Sequence, residues 1–225
     1  KNPNVPSEEK SELAKAAEDE IGAIIVQMML KDPFFGQFIS GCVRQVTDTI
    51  PTAGVAVLKK YVALLVNPHF FMKELKNRAE RAAVLKHEAL HIMLKHIIQM
   101  RNPKFPNKRL YNIAADLEVN QYIGHPWKLP NGAILLTSFP KLKLPPNDVA
   151  ETYYKLLQEE VDKNPNSQAS KAIRGMCNGD GHEGGGHSDH RGWEEGQSLT
   201  GNEAGGNPQG NLNGGINAAG DAELD

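Results

Sequence analysis

Apolar and polar residues recur along this chain with two different periods, and the changes of period mark its elements. From Ser7 to about Lys31 the period is helical. Leu13, Ala17, Ile21, Ile24 and Met28 fall on one stripe, and acidic residues fill the first turns. Ser7 stands where an N-cap belongs, and Asp32-Pro33 predicts the end of the helix. Two strand-like stretches follow. In Phe38 to Thr49, polar residues separate Ile39, Val43 and Val46, with Ile50 just beyond. Thr52 to Val66 is rich in Val, Ala and Leu, and its second half, Tyr61 to Val66, is the clearest strand candidate. Asn67-Pro68 stops it. From about Phe71 the helical period returns and predicts a short helix leading into a long one over Ala79 to Met100. That long helix is apolar on most of its surface, as expected at the centre of a domain. Pro103 and Pro106 close it. Another helix over Leu110 to Ile123 ends at Gly124, Trp127 to Pro146 reads as a long ordered loop, and Asp148 is placed to cap a helix running to about Lys163.

After Pro165 the pattern fades. Most of the 21 glycines lie from Gly175 onward, so residues 196–225 read as a flexible Gly/Asn-rich tail or linker and residues 1–195 as one folded domain. A total of 225 residues is enough for one domain with a real core. The formal net charge of −2 points to no nucleic-acid or membrane-surface partner, and the apolar run Ile21 to Leu30 is too short to span a bilayer. Two distant cysteines, Cys42 and Cys177, make no disulfide framework, and no signal peptide is legible. The expectation is a cytoplasmic protein with reduced thiols. Together these elements predict an α+β fold, mostly helical with a small sheet or hairpin.

Residues 87–91 read His-Glu-Ala-Leu-His. On a helix, residues four apart stand one above the other on one face, so His87 and His91 can reach a single metal ion. Glu88, beside the first of them, can point at a metal-bound water and take its proton. Zinc brings the pKa of such a water to roughly 7, and the resulting hydroxide attacks a carbonyl that the metal polarises. The motif lies in the middle of the most apolar helix, on a stripe with Ala83, Leu90, Leu94 and Ile98. Two histidines and a glutamate there are costly without a partner, and a metal supplies one.

A third ligand is required. A histidine six residues after the second is excluded, because position 97 is Ile. His96 sits about 140° around a continuous helix from His91, which suits packing or hydrogen bonding better than ligation. Asp116 and Glu118, on the next helix, are the remaining candidates. Asp116 shares a stripe with Asn112, Ile113, Asn120 and Ile123, so a buried aspartate is flanked one turn away on each side by an asparagine that can support it. Glu118 projects about 200° away and reads as a surface carboxylate.

This ordered set of residues resembles a family of zincin-like metallopeptidase domains found N-terminal to von Willebrand factor A-like domains in bacterial and phage proteins. The resemblance covers roughly residues 10–195. It is carried by Val66-Asn67-Pro68, the 87–91 motif with a histidine five residues on (His96), and Asn112-Ile113-Ala114-Ala115-Asp116 through Asn120. Leu129-Pro130, the Ala-Glu-x-x-Tyr-x-x-Leu helix from Ala150 to Leu157, and Asp189-His190 with Trp193 complete it. It implies a zincin-like fold, zinc held by His87, His91 and Asp116, and a protein or peptide substrate. Genes for AAA+ ATPases often lie near those of its members. An AAA+ or von Willebrand A-type partner is the corresponding expectation, and a zinc-stabilised interaction module without relevant catalysis is the alternative function. Intact Glu88 favours the hydrolase, since a purely structural site has no need of it.

Cys177, His182, His187 and His190 lie in a glycine-rich run whose spacing matches no zinc pattern. His182 and His187 read as part of a mobile polar linker. His69 and His125 read as loop residues, with an oxyanion-stabilising role open to His125. Asp189 to Trp193 reads as a lid, in which docking of Trp193 brings His190 to the fourth position of the zinc. Removing that ligand by His190→Ala then raises hydrolysis while metal content, measured by elemental analysis, stays constant.

Overall fold

The computed structural model describes residues 7–57 and 61–178. It is mostly helical, with one three-stranded sheet. Helix α1 spans Ser7–Lys31, with Glu8 and Glu9 in its first turn and Lys31 in its last, both favourable to the helix dipole. Ala17, Ile21, Ile24 and Met28 are buried on one stripe, as the pattern predicts. Asp32-Pro33 does not end helical structure here. Pro33 occupies the first turn of a second helix, α2, Pro33–Ser40, where its missing N–H costs nothing because no helical partner exists at that position. Phe38 to Ser40 are therefore helical rather than extended, and the first strand shrinks to β1, Val43–Val46.

Strands β2, Ala53–Val57, and β3, Val62–Val66, follow. The sheet order is β1-β3-β2, with β3 parallel to β1 and antiparallel to β2. Central β3 is apolar and buried from Ala63 to Val66, whereas β1 is largely exposed. Asn67 terminates the sheet: its amide Nδ2 donates to the Ile50 carbonyl and its Oδ1 accepts from the His69 and Phe70 amides, starting a π-helical turn over Phe70–Glu74.

Helix α3, Arg78–Met93, is capped by Asn77, whose side chain accepts from the Glu80 amide. Almost every residue from Ala82 to His91 is buried. The expected continuation to Met100 is interrupted. Lys95 adopts a left-handed conformation, φ 61° and ψ 25°, and a new short helix, α4, His96–Gln99, starts beyond it. The left-handed residue closes α3 in the role that glycine commonly takes. Helix α5, Lys108–Val119, is capped by Asn107 and tightens into a 3₁₀ turn over Asn120–Tyr122. The Trp127 to Pro146 segment is a loop apart from a 3₁₀ turn over Leu136–Ser138. Helix α6, Ala150–Lys163, packs along α5. Its N-cap is Val149 rather than Asp148, and the Ala150 amide is satisfied from outside the helix by Glu118 Oε2 at 2.6 Å. A last helix, α7, Gln168–Asn178, lies beyond the point where the apolar pattern fades and buries Ala169, Ser170 and Ile173.

One core joins these elements, with α3 set between the sheet on one side and α5 on the other. Glu20 of α1 binds Arg78 bidentately and also accepts from Arg81, which fastens α1 to the start of α3. The Arg78 hydrogen bond holds the Glu20 carboxyl below the usual carboxylate range, against partial desolvation. Asp32 Oδ2 accepts from Lys86 Nζ at 2.7 Å and from the Trp127 indole at 3.3 Å, so the α1–α2 corner is tied to α3 and to the long loop. Among the described residues, no helix is long and apolar enough to cross a membrane.

The α1–α2 corner is close-packed at Gly36. A Cβ there would lie 2.6 Å from the Met29 amide nitrogen and 2.9 Å from the Met28 carbonyl carbon, both backbone atoms that cannot rotate away. Gly36→Ala is expected to destabilise the protein by about 1–3 kcal/mol, read from denaturant unfolding midpoints, although alanine is the better helix former.

Candidate metal centre

Helix α3 carries His87, Glu88 and His91 on its buried length, and α5 presents Asp116 from the facing side. His87 Nε2 and His91 Nε2 stand 2.9 Å apart, and Asp116 Oδ1 lies 3.4 Å from the first and 3.3 Å from the second. These three ligand atoms form a group able to hold a metal ion, and it is the one such group among the described residues. His91 and Glu88 are fully shielded from solvent, Asp116 is 4% exposed and His87 6%.

The donor set fits a metal on two counts. A tetrahedral ion with bonds of about 2.0–2.1 Å, the values for zinc with nitrogen and oxygen, requires ligand atoms roughly 3.3 Å apart, close to the separations seen. The hydrogen bonds of His87 point the same way. Asn120 donates from Nδ2 to the Ile134 carbonyl at 2.8 Å, which orients its amide and leaves Oδ1 to accept from His87 Nδ1 at 2.9 Å. The proton on Nδ1 puts the lone pair of a neutral His87 on Nε2, facing the other two ligand atoms. Burial pushes the His87 imidazole towards lower pKa, but the Asp116 carboxylate, helped by Glu88 and Asn120, outweighs this and lifts it to about 9. The position between these groups therefore favours a positive charge.

Beside the centre runs a narrow cleft with an empty volume of about 320 Å³, counting its mouth. His87, Glu88 and Asn120 line it together with Thr52 and Ala53 at the start of β2, Phe70 and Val84, and Leu129, Pro130 and Ala133 of the long loop. The charged groups thus meet a mostly apolar wall.

Of the residues singled out in the sequence, His87, Glu88, His91, Asp116 and Asn120 come together here. Glu118 is corrected. It is not a surface carboxylate but 5% exposed, with Oε2 3.1 Å from His96 Nε2 and bonded to the Ala150 amide. Its surroundings explain this, because α5 is apolar almost all round and its far side faces α6. Leu110, Ile113, Ala114, Ala115, Leu117 and Val119 already carry that signal in the sequence, since a helix apolar on every side leaves no solvent face for an acid. His96 is a hydrogen-bonding residue, as expected, but the break at Lys95 places it against the site rather than around the helix from it. Its Nδ1 lies 3.0 Å from His91 Nδ1. His69 is exposed and 3.3 Å from Glu74, and His125 is exposed. His182, His187, Asp189, His190 and Trp193 lie outside the described residues, as does the expected tail. Cys42 and Cys177 are free thiols, each raised in pKa by burial.

The model of a protein family described as "Putative metallopeptidase domain" matches residues 16–217 of this chain. The chain belongs to that family. No curated protein and no solved structure matches it. Family membership covers both walls of the site, since α3 and α5 lie inside the matched range, and the donor set is one that a metallopeptidase family would use.

Protein purified without added metal should carry about one equivalent of a transition metal by elemental analysis. His91→Ala should lose the metal and about 2–4 kcal/mol of stability together, because the remaining histidine and aspartate are left buried without the ion that joins them. A metal-free native protein whose melting temperature is unchanged by chelator contradicts this assignment.

Proposed function

We propose that this chain is a zinc-dependent peptidase with a zincin-like arrangement, in which His87, His91 and Asp116 bind the metal and Glu88 is the general base. The observation that carries the reading is the convergence of two imidazole nitrogens and a carboxylate oxygen beside a cleft that also contains a carboxylate with no place in the ligand set. Zinc in that position supplies Lewis acidity, bringing a coordinated water towards a pKa of roughly 7 and polarising a substrate carbonyl. Glu88 follows the first ligand on α3 and lines the cleft, so its carboxylate oxygen takes a proton from water there and returns it to the departing amine. Asn120 and the loop wall hold His87 in place from the opposite side. The apolar lining from Phe70, Val84, Leu129 and Ala133 excludes bulk water, which strengthens every charge interaction inside.

A peptide substrate is supported by the cleft's border on β2. That strand pairs with β3 on one edge, and among the described residues no strand pairs with its other edge. Thr52 and Ala53 bring its first residues into the cleft. An extended peptide can add alongside such an edge through main-chain hydrogen bonds, which fixes the scissile bond relative to Glu88 without reading much sequence.

Glu88→Gln keeps size and shape and removes the base. Metal content and melting temperature should remain near wild type, while cleavage of a casein or denatured-protein substrate, followed by release of new amino termini, should fall at least 100-fold. If the variant cleaves as well as wild type, Glu88 is not the base. If neither protein cleaves anything and both keep the metal, the chain is a metal-stabilised interaction module.

A further inference from the structure

Behind the three groups that face one another, a second set of polar groups runs from His91 to the start of α6, and the direction of its hydrogen bonds can be read from its far end. The Ala150 amide can only donate, and it does so to Glu118 Oε2 at 2.6 Å. The same oxygen lies 3.1 Å from His96 Nε2. A carboxylate oxygen accepts, so His96 donates from Nε2 and, when neutral, presents a lone pair at Nδ1. That lone pair faces His91 Nδ1 at 3.0 Å, which makes His91 the donor. With its proton on Nδ1, a neutral His91 carries its lone pair on Nε2, the atom 2.9 Å from His87 Nε2 and 3.3 Å from Asp116 Oδ1.

We propose that His96 and Glu118 are positioning residues of the metal centre. They hold His91 in the tautomer and ring orientation that ligation needs, and the Glu118 charge, passed through His96, strengthens Nε2 as a donor. The proposal rests on the reading of His87, His91 and Asp116 as ligands. His96 is 2% exposed, so each of its polar contacts must be made within the protein. It reaches His91 only because Lys95 turns the chain back through a left-handed conformation that lysine seldom adopts. Asn120 does the corresponding work for His87 with a neutral amide. The two ligand histidines are thus oriented by different chemistry, and only the His91 arm ends on a charge.

Glu118 also supports α6 through Ala150, so the test must separate charge from scaffolding. The measurement is the apparent zinc affinity of the full chain, by competition with a chromophoric chelator, alongside the stability of the metal-free form and amide exchange at Ala150. Glu118→Gln keeps an oxygen for the Ala150 amide and removes the charge. Its zinc affinity should fall about 10–100-fold while metal-free stability and Ala150 exchange stay as in wild type. His96→Leu should lose at least as much affinity, and His96→Asn, whose Oδ1 can stand in for Nδ1 as acceptor, should recover part of that loss. Wild-type affinity in Glu118→Gln overturns the proposal even if the His96 variants do not fold. So does a loss in His96→Leu that His96→Asn leaves unrecovered. A wild-type chain that binds no zinc overturns the ligand assignment itself, and this proposal with it. Wild-type binding with unaffected variants overturns the positioning role alone.

Discussion

The arrangement of this protein depends on a buried electrostatic demand. Two imidazole nitrogens and a carboxylate oxygen are held within 3.4 Å of one another, in the contact between α3 and α5, where almost no water reaches. Without a cation such a cluster would be a liability of several kcal/mol. With a positive charge at its centre, the same groups become the strongest tie between the two helices. The surrounding core can then be read as a frame that keeps α3 and α5 at the separation this tie requires. Apolar α3 residues anchor one side against the sheet, and α6 covers the far side of α5.

That frame is built from local rules used in unusual places. Pro33 begins a helix rather than ending one, which lets α1 turn back on itself closely enough that Gly36 meets the Met29 backbone. Lys95 takes the place of a helix-ending glycine and so delivers His96 to the site. The N-terminus of α6 draws on a carboxylate from α5 in place of a cap from its own chain. Each of these departures lies at or next to the polar cluster or its supports, which is where local preference is commonly overridden by a site's needs.

Division of labour follows from burial. Glu88 lines the cleft beside His87, whereas Glu118 lies behind the ligands and touches only protein. Two glutamates of the same ordinary acidity are thus separated by position alone, one beside a space where a substrate can enter and the other within the scaffold.

The sequence by itself determined the elements with strong period and the face of α3. His87 and His91 share a helical face because the spacing of four dictates it, and Asp116 was legible from the asparagines a turn away on each side. It also determined the long loop after α5 and the edges of β3, whose apolar run is bounded by polar and proline residues. The tertiary structure alone decided the second shell. Helical arithmetic placed His96 far from His91 because it assumes an unbroken helix, and nothing in a lysine announces a left-handed residue. Glu118 read as exposed because a single helix shows what is opposite Asp116 but not what packs there. Only the docking of α6 turns that direction into an interior, and a carboxylate in an interior must find donors such as the His96 ring and the Ala150 amide.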